Sequence, residues 1–124
     1  MISGDLTGRK SGGENAKVEE AVGEYIAAKG YKVDVLHVNH HRANNASSKK
    51  FLKLISPKIA IISAGNGNSH AHPDKEVLER LVEAKVDRII QTSWGTTEEI
   101  IPAHIREHQA IWQQDVIVRS DGKY

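Results

Sequence analysis

Residues 33–52 read VDVLHVNHHRANNASSKKFL, and this stretch decides the fold. A mostly apolar run, Val33 to Val38, stops at Asn39-His40-His41. A polar loop, Arg42 to Ala46, then leads to Ser47 and Ser48, either of which can cap a helix running to Ile55, with Phe51, Leu52 and Leu54 or Ile55 inward. The order is strand, loop, helix. Two adjacent imidazoles at the carboxyl end of a buried strand suit chemistry, because histidine titrates near neutral pH and is the commonest metal-ligating side chain. An isolated pair is ordinarily one solvated loop residue and one hydrogen-bonded spacer, so the surrounding chain has to decide between the two readings.

Upstream, apolar residues at Val18, Ala21, Val22, Tyr25, Ile26 and Ala28 fall on one helical face, and Gly30 sits where a left-handed cap ends the helix. Tyr31 to Val38 then carries apolar residues on both faces, as in a strand covered on each side. Downstream, Pro57 stops the second helix, and Lys58 to Ser63, KIAIIS, is a short buried strand. The Gly/Asn loop from Ala64 to Ser69 follows at its carboxyl end, where open α/β sheets hold ligands. Pro73 suits the first turn of a third helix, Asp74 and Glu76 complement its dipole, and Val77, Leu78, Leu81 and Val82 form its buried stripe until about Lys85. Val86 to Thr92 reads as a further strand, Gly95 to Glu99 as a turn, and Val116 to Arg119 as a last strand closed by Ser120-Asp121-Gly122. Strands and helices alternate, which predicts an α/β layer with its functional groups gathered at one edge.

Composition narrows the classes. A chain of 124 residues is a single domain, 1–124, able to bury roughly two-thirds of its unfolded surface. Its 17 basic and 16 acidic residues supply no electrostatic argument for nucleic acid or membrane. The absence of cysteine excludes disulfides and thiolate metal sites. No apolar run is long enough to span a membrane, and no basic start leads into an apolar segment as in a signal peptide. The Gly-rich stretch from Thr7 to Asn15 lacks the order that cradles phosphates.

The run from Asp34 to Leu81 resembles the carboxyl-terminal half of metallo-β-lactamase-fold hydrolases, in particular the competence-type DNA-uptake domain and the teichoic-acid phosphorylcholine esterases. The resemblance lies in an aspartate-led strand, the His40-His41 pair, a serine-rich loop, a helix, the Ser56-Pro57-Lys58 turn, a strand, a Gly/Asn loop and His72-Pro73. Ile2 to Leu6 is similar to the family segment whose aspartate bridges two metals, and Asp115 to Tyr124 to its closing strand and turn. Gly4-Asp5 alone reads as a turn; within the family it needs a strand before it, and Met1 to Ser3 is short for one, so the amino terminus reads as cut.

The resemblance implies the distal half of an αββα sandwich around zinc. Asp5 would be the bridging ligand and His41 the terminal imidazole ligand, with the choice between His40 and His41 open. His40 would support the site from behind or touch the substrate's phosphate, and His72 would lie near the leaving group or the phosphate oxygens. Asn39 and Arg42 are the candidate substrate-binding residues, Arg42 through a bidentate phosphate contact. The implied reaction is phosphodiester hydrolysis, of DNA or of a phosphocholine-type ester, by a metal-activated water. The family's HxHxDH cluster is missing, so the chain alone is expected to be inactive. The chain also departs from the competence-type pattern at Arg42-Ala43, where Gly-Ser is usual.

Two further histidine motifs carry less. His70-Ala71-His72-Pro73-Asp74-Lys75 imitates HxHxDH but ends in an ammonium that repels a cation. His104 to His108 fits HxxEH but lacks a third ligand, and the stretch from Glu98 to Gln113 reads as an exposed helical insert anchored by Ile111 and Trp112. Two non-catalytic readings stand beside the hydrolase. In one, the half-fold binds a partner chain or a second copy through an uncovered apolar sheet face. In the other, the loop from Gly65 to Ser69 holds an anion on the helix that starts at Pro73.

Overall fold

The computed structural model describes residues 1, 18–38, 46–63, 65, 75–93, 101–112 and 114–121. Helix α1, Val18–Ala28, ends as the glycine predicts: Gly30 adopts φ +69°, its N–H bonds Ala27 O at 3.0 Å, and Tyr31 N–H bonds Ile26 O at 3.1 Å. Those two bonds use carbonyls the helix leaves unpaired, and the left-handed residue between them is glycine's natural place. Strand β1, Val35–His37, leads towards α2, Lys49–Ile55, where Ser48 is the N-cap and its Oγ accepts from Phe51 N–H at 3.2 Å. Ser56 ends α2 at φ +42°, and Pro57 allows no continuation. Then come β2, Ile59–Ile62, α3, Lys75–Glu83, β3, Arg88–Gln91, α4, Ala103–Arg106, and β4, Gln109–Ile111.

Among the described residues the four strands form one parallel sheet in the order β1-β2-β3-β4, with Leu36 opposite Ala60, Ala60 opposite Ile89 and Ile89 opposite Gln109. Each strand is followed in sequence by its neighbour, and right-handed crossovers then place the connecting helices on one face. The core agrees: it takes Leu36, Ala60, Ile62 and Ile89 from the strands, packs them with Phe51, Leu52, Ile55, Val77, Leu78, Leu81 and Ile105, and omits the alternating residues Val35, His37, Ile59, Ile61 and Ile90. Those five belong to the face away from the core. Beyond β1, Met1 N–H bonds Val35 O and His37 N–H bonds Met1 O at 2.9 Å, the pairing of a parallel bridge opposite Leu36.

Three expectations are corrected. The predicted stripe of α1 is displaced: Val18 and Tyr25 are exposed, and the buried positions are Glu19 and Gly23. At Gly23 an added Cβ would come within 3.1 Å of Leu54 and 3.2 Å of Phe51, so α1 meets α2 through close backbone approach rather than apolar bulk. Val116 to Arg119 is not a strand; residues 115–121 have no regular structure. The fourth strand lies inside the stretch read as an exposed helical insert, which is instead built into the fold. Ile105 of α4 is fully buried, β4 pairs with β3, and Trp112 is 52% exposed rather than an anchor. A polar contact fastens β4, where Gln109 Nε2 donates to Gln91 Oε1 on the core side of the sheet.

Candidate functional site

Parallel sheets gather their strand ends at one edge, and here that edge receives His37 and Val38 from β1, Ser63 from β2 and Thr92 from β3. Val38 N–H bonds Ile61 O at 2.8 Å and Thr92 N–H bonds Ile62 O at 3.1 Å, so pairing continues to the ends of the strands. His37 Nε2 lies 3.0 Å from Ser63 Oγ, while its Nδ1 is buried without a hydrogen-bond partner. The pair sits in a cavity of about 680 Å³ on the face away from the core, lined also by Val35, Ile61, Thr92 and Asp115. Alternation along β1 and β2 puts His37 and Ser63 on that face.

The sequence-derived site residues Asp5, Asn39, His40, His41, Arg42 and His72 lie outside the described residues, as does the Gly/Asn loop apart from Gly65. Asn39 follows directly on Val38, at the carboxyl end of β1. Among the described residues no group of three or more histidine, cysteine, aspartate or glutamate side chains is gathered as a metal site, and His37 Nε2 is occupied by Ser63.

After residues 39–45 the chain re-enters the described fold at Ala46, and there the structure supplies a residue the periodicity could not. The Glu19 carboxylate, fully buried, accepts Ser47 N–H at 2.6 Å through Oε1 and Ser48 N–H at 3.1 Å through Oε2. Two successive amides turned onto one anion form a nest. Ser47 stands at φ +54°, a left-handed conformation unfavourable for a residue with a Cβ, and its Oγ is buried without a partner. Nothing in the helical pattern marks Glu19, because its partners are backbone amides 28 and 29 residues away.

Lys50 bridges Glu20 and Glu24 at 2.9 Å each, tying α2 to α1, and hydrogen bonds to Glu24 and Glu20 raise its pKa. The Lys58 ammonium, 2.8 Å from Asp34, holds that carboxyl below its ordinary range and is itself raised.

The described elements thus define an open parallel α/β sheet with a polar strand edge. The chain is similar to ComE operon protein 3 of Bacillus subtilis, 38% identical over 66 residues, which are 53% of this chain and 8% of that protein. It is 41% identical over 63 residues to Recombination protein 2 of Haemophilus influenzae, covering 50% of this chain and 8% of that protein. It is 35% identical over 81 residues to Competence protein ComA of Neisseria gonorrhoeae, covering 65% of this chain and 10% of that protein. By name one of these relatives is a competence protein and another a recombination protein, and the matches span a tenth or less of their length. No family model matches the chain. No solved structure matches it. Among the described residues no helix is long and apolar enough to cross a membrane.

Proposed function

We propose that the chain is the distal half of a metal-dependent hydrolase of the metallo-β-lactamase fold, acting on a phosphodiester, with DNA the first candidate substrate. The observation that carries this reading is the end of β1. Asn39, His40 and His41 follow directly from a parallel strand whose carboxyl end lies beside those of β2 and β3, where α/β sheets assemble their sites. The similarity to proteins named Recombination protein 2 and Competence protein ComA supports DNA over a phosphocholine ester.

In this reading Asp5 and His41 hold zinc. The metal, when bound, supplies a bound water acidic enough to ionise near neutral pH. His40 and His72 contact phosphate or leaving-group oxygens, and Arg42 and Asn39 hold the substrate's phosphate by hydrogen bonds. The remaining ligands come from an HxHxDH half that this chain does not contain. Calorimetric zinc titration of the wild type beside an Asp5→Ala, His41→Ala double variant tests the half-site. Binding that the variant loses supports it, and equal weak binding in both removes the ground for assigning hydrolysis to these residues.

One observation favours a second reading, a non-catalytic module completed by a partner chain or a second copy. Val35, Ile59 and Ile90, each partly exposed, flank the buried Ile61 on the sheet face away from the helical core, and a partner would cover them. Sedimentation decides: a monomer at all concentrations counts against self-association through this face.

A further inference from the structure

We propose that Ser63 is a nucleophile activated by His37, and that the cavity they share accepts small uncharged carboxylic esters. His37 pairs with Ile61 in the parallel register, so Ser63, two residues on, lies diagonally across on the same face of the sheet. His37 Nε2 and Ser63 Oγ stand 3.0 Å apart, within reach for a proton to pass between them. Both residues are partly exposed and line the cavity, which gives a reagent access to the pair. At about 680 Å³ the cavity has the size of small-molecule sites, and Val35, Ile61, Val116 and Val118 give it apolar walls for an acyl chain. This activity is separate from the reading above, since it uses neither zinc nor any residue assigned to phosphodiester hydrolysis.

The reaction balances within the pair. Ser63 Oγ attacks the ester's carbonyl carbon as its proton passes to His37 Nε2; the C–O bond to the alcohol then breaks, and the departing oxygen takes that proton. Water attacks the acyl-serine in turn, giving a proton to His37, which returns it to Ser63 Oγ as the acid leaves. Nε2 must accept for this, so the ring proton sits on Nδ1, which is buried and has no hydrogen-bond partner. Among the described residues no carboxylate therefore steadies the imidazolium through Nδ1, unlike in a triad, and that sets the substrate class. An ester whose leaving group departs readily needs the least help from the ring, and an amide the most.

Diisopropyl fluorophosphate tests the pair on the intact chain, with EDTA present throughout so that no metal takes part. Ser63 Oγ attacks its phosphorus, fluoride leaves and His37 takes the hydroxyl proton. The expected result is a single diisopropylphosphoryl group mapped to Ser63 by peptide mass spectrometry, together with hydrolysis of p-nitrophenyl acetate that the label abolishes. His37→Gln, shown to be folded by thermal melting, should label roughly a hundredfold more slowly, the low end of what a positioned base supplies. Absence of the label, a label only at other residues, or an unchanged rate in folded His37→Gln overturns the proposal. So does an ester that is not hydrolysed, or one whose hydrolysis survives full labelling. If His37→Gln does not fold, the pH profile of wild-type labelling decides in its place. A rate that rises with pH and then levels off supports a protonatable base, whereas a flat profile or an unbroken rise overturns it.

Discussion

His37 Nε2 stands 3.0 Å from Ser63 Oγ, joining the ends of two neighbouring parallel strands on the face away from the core. The other ring nitrogen is buried without a partner, so this bond carries all of the imidazole's polar satisfaction among the contacts described. A half-satisfied buried group makes its remaining partner matter more than its mean worth.

Ser63→Ala should therefore destabilise the chain by about 1–2 kcal/mol, the cost of leaving a partly buried polar ring unpaired. A His37→Leu, Ser63→Ala double variant should recover part of that loss, because the ring that Ser63→Ala leaves unpaired is then gone. Urea denaturation of the single and double variants measures it. A double variant as unstable as the sum of the two singles would mean the pair does not act as a unit.

At the start of α2 two adjacent serines should respond in opposite directions. Ser48 caps the helix through its Oγ, so Ser48→Ala should cost about 1 kcal/mol. Ser47 carries a left-handed backbone and an unpaired hydroxyl, and Ser47→Gly removes both penalties while retaining the N–H that Glu19 holds. A gain of about 0.5–1 kcal/mol is expected from the relieved strain, net of the greater freedom of the unfolded chain. Equal losses at both positions would show that the Ser47 side chain has a use the structure does not reveal.

Ile105 and Trp112 separate the observed architecture from the insert expected from sequence. Ile105 is fully buried, so Ile105→Ala should cost about 2–4 kcal/mol. Trp112 is half-exposed, and Trp112→Ala should cost well under 1 kcal/mol despite its size. Thermal melting of both variants checks this, and the opposite ranking would restore the tryptophan as the anchor.

The same comparison shows what was legible and why. KIAIIS and the α3 stripe announced themselves because a buried parallel strand and an amphipathic helix each leave a local pattern, and both elements formed where expected. Strand β4 left none. Gln109-Ala110-Ile111 is three residues long, and what makes it a strand is pairing with β3 and the Gln91–Gln109 contact, which are non-local facts. The exposed Ile117 and Val118 imitated a strand but pair with no strand among the described residues. Glu19 was hidden for a related reason: a carboxylate in the first turn of a helix reads as solvated, and only the tertiary approach of Ser47 and Ser48 buries it. His40 and His41 lie outside the described residues, and the polar contacts of His37, Ser63 and Glu19 came from the fold.

The Asp34–Lys58 pair predicts how stability varies with pH. The hydrogen bond and charge of Lys58 lower the Asp34 pKa, so in the folded chain the carboxyl ionises more easily than when unfolded. A depressed carboxyl stabilises above its unfolded value and loses that contribution as pH falls through its folded value. Lys58 is raised by the same partner, so its contribution holds below the ordinary lysine range and is lost only as pH rises through the raised value. The pair therefore acts across the neutral range and fades at both extremes, and because both groups are exposed the effect on stability is small. Lys58→Met should return the Asp34 titration, followed by carboxyl-carbon NMR, most of the way to the ordinary range, with the nearby Lys32 accounting for a residual depression. An Asp34 midpoint that does not move in Lys58→Met would show that the ion pair does not form in solution. The melting temperatures of wild type and variant should then also run parallel at every pH, whereas an intact pair makes them converge in acid.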